Sequence, residues 1–221
     1  EPFLETIVMS SGLLDQHGTD VQKSEVIGSV ISGEMHLALA YAEPQSRVNL
    51  SDVVTEAKPD GDNFIINGFK SVVMNGPSAN KFIISARTSG KQLDKKGISL
   101  FLVDSDMSGL TRTDYKTVDG RKASDLNLEN VSIPSQSLIG SLDEGFNILD
   151  ESIDRSILAI SAEAVGAMEV LYKTTVEYTK TREQFGTPIG KFQVLQHRMV
   201  DMFMEYEQCK SLLYMATMKN E

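Results

Sequence analysis

The sequence contains no tryptophan and only one cysteine in 221 residues. A lone cysteine excludes an internal disulfide and fits a reducing compartment such as the cytoplasm. The apolar residues around Cys209 predict a small buried side chain there rather than a nucleophile. The three histidines, His17, His36 and His197, lie far apart in the sequence, so their spacing predicts no metal site.

Basic residues are the minority charge, with 21 Lys and Arg against 31 Asp and Glu and a formal net charge of −10 at pH 7. Because no basic stripe is present, we expect neither a nucleic-acid partner nor an anionic membrane surface. No signal peptide and no apolar run of membrane-spanning length is recognised. The chain opens and closes inside helical patterns without an initiating Met, so we expect a fragment of a longer protein.

Hydrophobic periodicity divides the chain into three parts and predicts an α+β fold. Residues 1–34 follow helical spacing, residues 35–136 alternate with period two, and residues 137–221 return to helical spacing. The middle part has short apolar runs separated by turn residues, which predicts an antiparallel β-barrel or sandwich. Within it, Asn67–Gly68 predicts a hairpin turn. Ser141–Glu144 predicts a capping box that begins the long helix after it.

A turn between two predicted helices, within Tyr178–Asp201, carries a distinctive set of side chains. Arg182, Gln184 and Phe185 place a permanent cation, an amide and an aromatic face side by side. Each residue also has a purely structural interpretation. An Arg near a helix C-terminus interacts favourably with the helix dipole, and a Phe beside a Gly-Pro turn often fills the core.

The complete string from Arg182, Arg-x-Gln-Phe-Gly-x-Pro-Ile-x-x-Phe-Gln-x-x-Gln-His, resembles the signature turn of the acyl-CoA dehydrogenase family. The resemblance covers essentially the whole chain. It implies the end of an N-terminal helical domain, a middle β-domain and the first helices of an up-down four-helix bundle. It also implies that Arg182 meets the pyrophosphate of an FAD bound mainly by a neighbouring subunit. Gln184, Phe185 and Gln193 would contribute further contacts to that FAD.

The same resemblance implies α,β-desaturation of an acyl-CoA thioester, in which a Glu removes the α-proton and the flavin takes a hydride. The family's positions for this base lie beyond Glu221 or at Ser156, which cannot serve, so the catalytic base is unknown. Asp154 matches a residue that holds the CoA part of the substrate. Glu163 has apolar sequence neighbours that could raise its pKa, although we favour a role in an interhelical hydrogen bond or exposure at the rim.

Several positions implied to meet this chain's own flavin or thioester depart from the family pattern. A flavin-facing Thr and Trp are replaced, a turn of small residues is bulky, and an Arg for CoA is absent: Ala42, Arg47, Val48, Val72, Met74 and Ile157. The leading hypothesis is therefore a subunit of a homo- or hetero-oligomer that contributes its turn to a flavin site shared with a neighbouring or paralogous subunit. One alternative is a self-sufficient homotetrameric dehydrogenase with a divergent flavin pocket. The other is a non-catalytic scaffold with the family fold.

Overall fold

A computed structural model describes residues 2–220 and divides the chain into two compact units, Glu1–Asp154 and Arg155–Glu221. Helices come first along the chain, then a β-domain, then two long helices, so the predicted α+β order is confirmed. The first unit holds the early helices, the whole β-domain and the start of the third α-helix. The second unit holds the rest of that helix and a fourth one.

The chain begins with a π-helix, Phe3–Ser11, followed by α1 (Gly12–His17) and α2 (Asp20–Ile31). The sequence offers Thr19 or Asp20 as the cap of α2, and in the structure Thr19 is the capping residue. Its hydroxyl accepts a hydrogen bond from the Gln22 amide, and the Gln22 side chain accepts one from the Thr19 amide. This reciprocal pair satisfies two backbone donors that the first turn of a helix otherwise leaves open. The π-helix turns mostly polar side chains inward: Glu5, Thr6, Ser10 and Ser11.

The β-domain is a single eight-stranded sheet in which the order of the main path is β6-β7-β3-β2-β4-β5-β8. Most pairings are antiparallel, as predicted, but β1 and β2 each pair with β4 in parallel. The strands are β1 Leu37–Ala40, β2 Glu56–Asp60, β3 Asn63–Met74, β4 Lys81–Arg87, β5 Ile98–Asp104, β6 Leu110–Lys116, β7 Lys122–Pro134 and β8 Leu138–Ile139.

The prediction of a hairpin turn at Asn67–Gly68 is wrong, because both residues lie inside β3. The β2–β3 hairpin turns instead at Gly61 and Asp62. The Asn-Gly pair forms a bulge against β7, where the register shifts. Gly68 is needed there because a Cβ would lie 2.6 Å from the backbone Cα of Thr55. A close backbone approach, rather than chain reversal, therefore accounts for this glycine.

Two buried apolar clusters hold the first unit together. One lies within the sheet and includes Ile66, Phe82, Phe101 and Leu126. The other packs α1, α2 and the start of the third α-helix against the sheet and includes Leu14, Val26, Ile83, Leu100 and Leu149. All of these side chains are almost fully removed from water, so their burial supplies the main driving force for folding of this unit.

The third and fourth α-helices are α3 (Gly145–Thr181) and α4 (Gln193–Asn220). α3 begins later than predicted, because Ser141 and Glu144 form a turn in which Glu144 bridges Ile98 of β5. In the second unit, α3 and α4 form the predicted helical hairpin. The Tyr172 ring on α3 packs against two rings of α4, with centroid separations of 5.7 Å to Phe203 and 5.3 Å to Tyr206.

Candidate functional site

The turn between α3 and α4 is a tight two-residue hairpin. Its strands are β9 (Glu183–Gln184) and β10 (Thr187–Pro188), and the loop between them is Phe185 and Gly186. Both loop residues have positive φ, +54° for Phe185 and +75° for Gly186. That combination is typical of a type I′ turn, which normally takes Asn or Gly at both positions. A Phe at the first position is held in a conformation that costs roughly 1–2 kcal/mol.

This backbone presents the Phe185 ring to solvent. The residue is 93% exposed, and its ring makes one edge contact with Phe192, at a centroid separation of 6.2 Å. Phe185 therefore does not fill the core of the second unit. A large aromatic side chain that is both strained and exposed requires an explanation outside the packing of its own unit.

Arg182 follows α3 directly and is exposed, while its backbone is fixed at both ends. Its amide donates to the Tyr178 carbonyl at 2.9 Å, and its carbonyl accepts from the Ile189 amide at 2.8 Å. Within residues 2–220 the guanidinium makes no hydrogen bond or ion pair. Gln184 is exposed, and among the described residues its side-chain amide donates to the neighbouring Glu183 carbonyl alone, at 2.8 Å. The structure thus brings Arg182, Gln184 and Phe185 together on one exposed turn.

The structure also shows where the other residues singled out in the sequence lie. Gln193 is exposed and begins α4 beyond a short turn, and Asp154 is exposed on α3. Glu163 is exposed as well, so the apolar setting suggested by its sequence neighbours is not formed around it. Cys209 is half-buried rather than fully buried and lines an apolar cavity of about 370 Å³ between α3 and α4.

In the first unit, the segment that contains Ala42 and the segment that contains Val72 and Met74 lie side by side; both carry residues that depart from the family pattern. The Ser71 amide donates to the Ala42 carbonyl at 2.9 Å. Val72 follows in a bulge with φ of +53°, and its amide donates to the Asp125 carboxylate at 3.0 Å. Val72 is 52% exposed. A backbone hydrogen bond therefore joins these two segments next to the positions where their side chains depart from the family pattern.

Beneath these segments lies an ion pair that the sequence did not reveal. Lys70 Nζ contacts Glu43 Oε1 at 2.7 Å, with side-chain exposures of 0% and 2%. Lys70 also donates to Ser85 Oγ at 3.0 Å. One signal was available: the alternation of β3 puts Lys70 on the inward face with Phe64, and a charge at a core position needs a buried partner.

Burial and attraction oppose each other in this pair. Burial lowers the pKa of Lys70 to about 8, although the Glu43 carboxylate acts in the other direction. Burial alone would raise the pKa of Glu43. However, attraction to Lys70 and hydrogen bonds from Lys70, Gln45 and the Val54 amide together bring the pKa of Glu43 below its usual value. Glu43 is therefore held as a carboxylate inside the β-domain.

Other kinds of site are not found in the described part of the chain. Residues 2–220 contain no group of three or more His, Cys, Asp or Glu side chains able to hold a metal ion. Over the same range, no helix combines the length and apolar character needed to cross a lipid bilayer.

Several proteins of known sequence or structure are similar to this chain. A 3-(aryl)acrylate reductase of Clostridium sporogenes is 33% identical over 91% of this chain and 54% of its own length. The crystal structure of the prolyl acyl carrier protein oxidase AnaB superposes with a TM-score of 0.91 at 32% identity, over 98% of this chain and 58% of that one. An FAD complex of PigA gives a TM-score of 0.91 at 30% identity, over 96% and 56%. The chain thus spans about half the length of the curated relatives it matches.

Two family descriptions match consecutive parts of the sequence. The acyl-CoA dehydrogenase middle domain matches residues 38–131, and the acyl-CoA dehydrogenase C-terminal domain matches residues 143–221. Together they cover most of the chain, including the β-domain and the helical hairpin with its turn. The chain belongs to the acyl-CoA dehydrogenase family.

Proposed function

We propose that this chain is part of an FAD-dependent oxidoreductase that desaturates an acyl thioester, and that its α3–α4 turn serves a flavin held mainly by a neighbouring subunit. The turn would place Arg182 on the FAD pyrophosphate, with Phe185, Gln184 and Gln193 as further contacts. The observation that carries the proposal is a guanidinium without a partner among residues 2–220, beside a strained, exposed aromatic ring on the same rigid turn. The related PigA structure is an FAD complex, which supports the choice of cofactor.

The chemistry of the turn suits a dinucleotide. A guanidinium offers parallel N–H donors that match two phosphate oxygens, and its charge persists at any physiological pH. Phe185 offers a flat apolar face for a ring system. Since the chain carries a net charge of −10, an anion would be repelled by most of its surface. The free charge of Arg182 is therefore the feature that makes this turn suitable for a phosphate group.

Whether the neighbour is a copy of this chain or a paralogue depends on the first unit. Ala42, Val72 and Met74 cannot supply the hydroxyl and aromatic contacts implied by the family resemblance, which favours a paralogous partner. The backbone hydrogen bond between Ser71 and Ala42 keeps the two segments side by side, which favours a self-sufficient homo-oligomer with a divergent pocket. Purification of the full-length protein alone separates the two: a yellow homo-oligomer supports the second, and colourless protein that binds flavin only with a paralogue supports the first.

The substrate carrier has two candidates, CoA and an acyl carrier protein. The family descriptions support a CoA thioester. The related AnaB, in contrast, is a prolyl acyl carrier protein oxidase. Ile157 stands here in place of an Arg implied to hold CoA, and it is 54% exposed on α3. Bleaching of bound flavin by the same acyl group on CoA or on a carrier protein distinguishes the two.

The central test is the variant Arg182→Ala in the full-length protein, with Arg198→Ala as the matched control. Arg198 is also an exposed arginine of the second unit, on α4. Loss of one charged hydrogen-bonding partner of a phosphate should cost roughly 1.5–3 kcal/mol, or about 10- to 100-fold in flavin affinity. We expect Arg182→Ala to lose flavin during gel filtration and Arg198→Ala to retain it. Full flavin occupancy in Arg182→Ala would contradict the proposal.

A further inference from the structure

A short connecting segment, residues 189–192, joins the hairpin turn to α4. Its first residue, Ile189, donates its amide hydrogen to the Arg182 carbonyl at 2.8 Å. Its last residue, Phe192, makes an edge contact with the Phe185 ring, at a centroid separation of 6.2 Å. The position of the connecting segment therefore sets both the backbone of Arg182 and the surroundings of the Phe185 ring.

Two residues of the long helices hold this connecting segment at Gly190. On α4, Nε2 of the Gln196 side chain donates to the Gly190 carbonyl at 2.9 Å. On α3, the backbone of Thr179 packs so closely that a Cβ added to Gly190 would lie 3.0 Å from the Thr179 carbonyl oxygen. Thr179 is itself buried, with its hydroxyl 3.2 Å from Met199 Sδ on α4. Gly190 therefore lies between a side chain of α4 and the backbone of α3.

The turn needs this support because it is both strained and short. Phe185, at a φ of +54°, is in a conformation that persists only where the surrounding structure fixes it. Each strand of the hairpin has two residues, and an isolated two-stranded hairpin is marginally stable at best in water. Gln196 is exposed, so its hydrogen bond adds little to the stability of the unit as a whole. Fixing the turn explains an ordered glutamine at this position better than stability does.

We propose that Gln196, supported by Thr179, is a positioning residue that fixes the α3–α4 turn in its binding conformation before a ligand or a neighbouring subunit arrives. This inference rests on the proposed function for the ligand, which is the FAD of a neighbouring subunit. A cation on a backbone that is already fixed binds phosphate with a smaller loss of conformational entropy than one on a mobile loop. Gln196 acts through the connecting segment and needs no contact with the FAD.

The first test is hydrogen exchange in the full-length protein with the variant Gln196→Leu, which removes the donor and keeps a side chain of similar size. The matched control is Gln208→Leu, because Gln208 is also exposed on α4 and makes no hydrogen bond within residues 2–220. We expect exchange of the Ile189 amide to rise about 3- to 10-fold in Gln196→Leu, as loss of one hydrogen bond permits. Thr179→Val should raise it as well, and the control should match the wild type.

The second test is a double-mutant cycle on flavin affinity, which a merely structural role would not satisfy. We expect Gln196→Leu to weaken flavin binding about 3- to 10-fold, because the turn must then be ordered on binding. In an Arg182→Ala background the same substitution should weaken binding by about two-fold at most, since the main group that it positions is absent. A structural residue would instead have equal effects in the two backgrounds, and that result would overturn the inference.

The outcomes separate this inference from the proposed function. Full flavin affinity in Arg182→Ala would contradict the donated turn itself. If Arg182→Ala loses flavin while Gln196→Leu keeps wild-type exchange at Ile189, the turn binds flavin and Gln196 does not position it. Faster Ile189 exchange in Gln196→Leu without any loss of flavin affinity would also overturn the inference, because a mobile turn would then bind as well as a fixed one.

Discussion

At the scale of single residues, Phe185 shows a conflict between local conformation and exposure. Its φ of +54° suits Asn far better than Phe. We predict that Phe185→Asn raises the free energy of unfolding by up to about 1 kcal/mol, because the strain is relieved and little buried area is lost. Denaturant unfolding measures this gain. The same variant should bind flavin more weakly.

Phe185→Leu is the companion variant, since it removes the ring while keeping an unfavourable side chain at positive φ. It should show no gain in stability and the same loss of flavin affinity as Phe185→Asn. Equal flavin affinity in all three proteins would mean that the ring has no part in binding. The two variants together separate the conformational cost of Phe185 from its proposed use.

The buried pair makes a pH-dependent contribution at the same scale. The pKa of Glu43 is lower in the folded chain than its usual value of 4.5. A depressed folded pKa contributes stability that is fully present above the unfolded value and is lost as the pH falls through the folded one. We predict that the wild type loses unfolding free energy relative to Glu43→Gln/Lys70→Met as the pH drops below about 4.5. Lys70 is protonated in both states in this range and does not alter the sign.

Urea titrations of both proteins at a series of acidic pH values measure the difference directly. Taking the difference between the two proteins removes the contribution of all other carboxylates. A difference that stays constant from neutral to acidic pH would show that Glu43 titrates alike in the folded and unfolded chains.

At the scale of elements, α2 depends on its first turn. Thr19 and Gln22 form a reciprocal capping box, and Nε2 of the Gln22 side chain also donates to the carbonyls of Gln136 and Leu138 at 2.9 and 3.0 Å. We predict that Thr19→Ala destabilises the protein by about 1 kcal/mol. Ser24→Ala on the same helix is the control, because the exposed Ser24 hydroxyl donates to the Val21 carbonyl within the helix and caps no terminus. Similar melting temperatures for the two variants would contradict a role for the cap.

Elements were predicted well where a local signal decides the structure. Thr19 caps α2 because capping needs only neighbours in the sequence, and the helical hairpin follows from apolar spacing. Asn67–Gly68 was predicted wrongly because the same dipeptide serves a turn or a bulge. The choice depends on Thr55 and Asn130, which lie far away in the sequence: Thr55 packs against Gly68, and the Asn130 amide donates to the Asn67 side chain at 2.8 Å.

The candidate site was predictable in part for the same reason. Arg182, Gln184 and Phe185 lie within four residues, so any turn brings them together. The Glu43–Lys70 pair joins residues 27 positions apart, one in the loop after β1 and one on β3, and the sequence does not specify how these segments meet. The positive φ of Val72 also could not be predicted, because a β-branched residue normally disfavours that conformation.

At the scale of the whole molecule, the proposed sharing of a flavin between subunits would link cofactor binding to assembly. A ligand that binds only the assembled form stabilises it by mass action. We predict that dilution of the full-length protein releases flavin and dissociates subunits over the same concentration range, and that added FAD shifts both transitions to lower protein concentration. Flavin fluorescence and light scattering follow the two processes. Flavin retained by isolated subunits would contradict a shared site.

The helical hairpin has a practical consequence for handling this polypeptide. Large apolar side chains point into water from both helices of the second unit, including Val170, Leu171, Leu212, Tyr214 and Met218, each more than half exposed. Contiguous apolar surface of this kind promotes self-association. A recombinant protein of these 221 residues should therefore self-associate at the concentrations used for crystallography. Aggregation of such a sample would report on these exposed apolar side chains and not on the proposed activity.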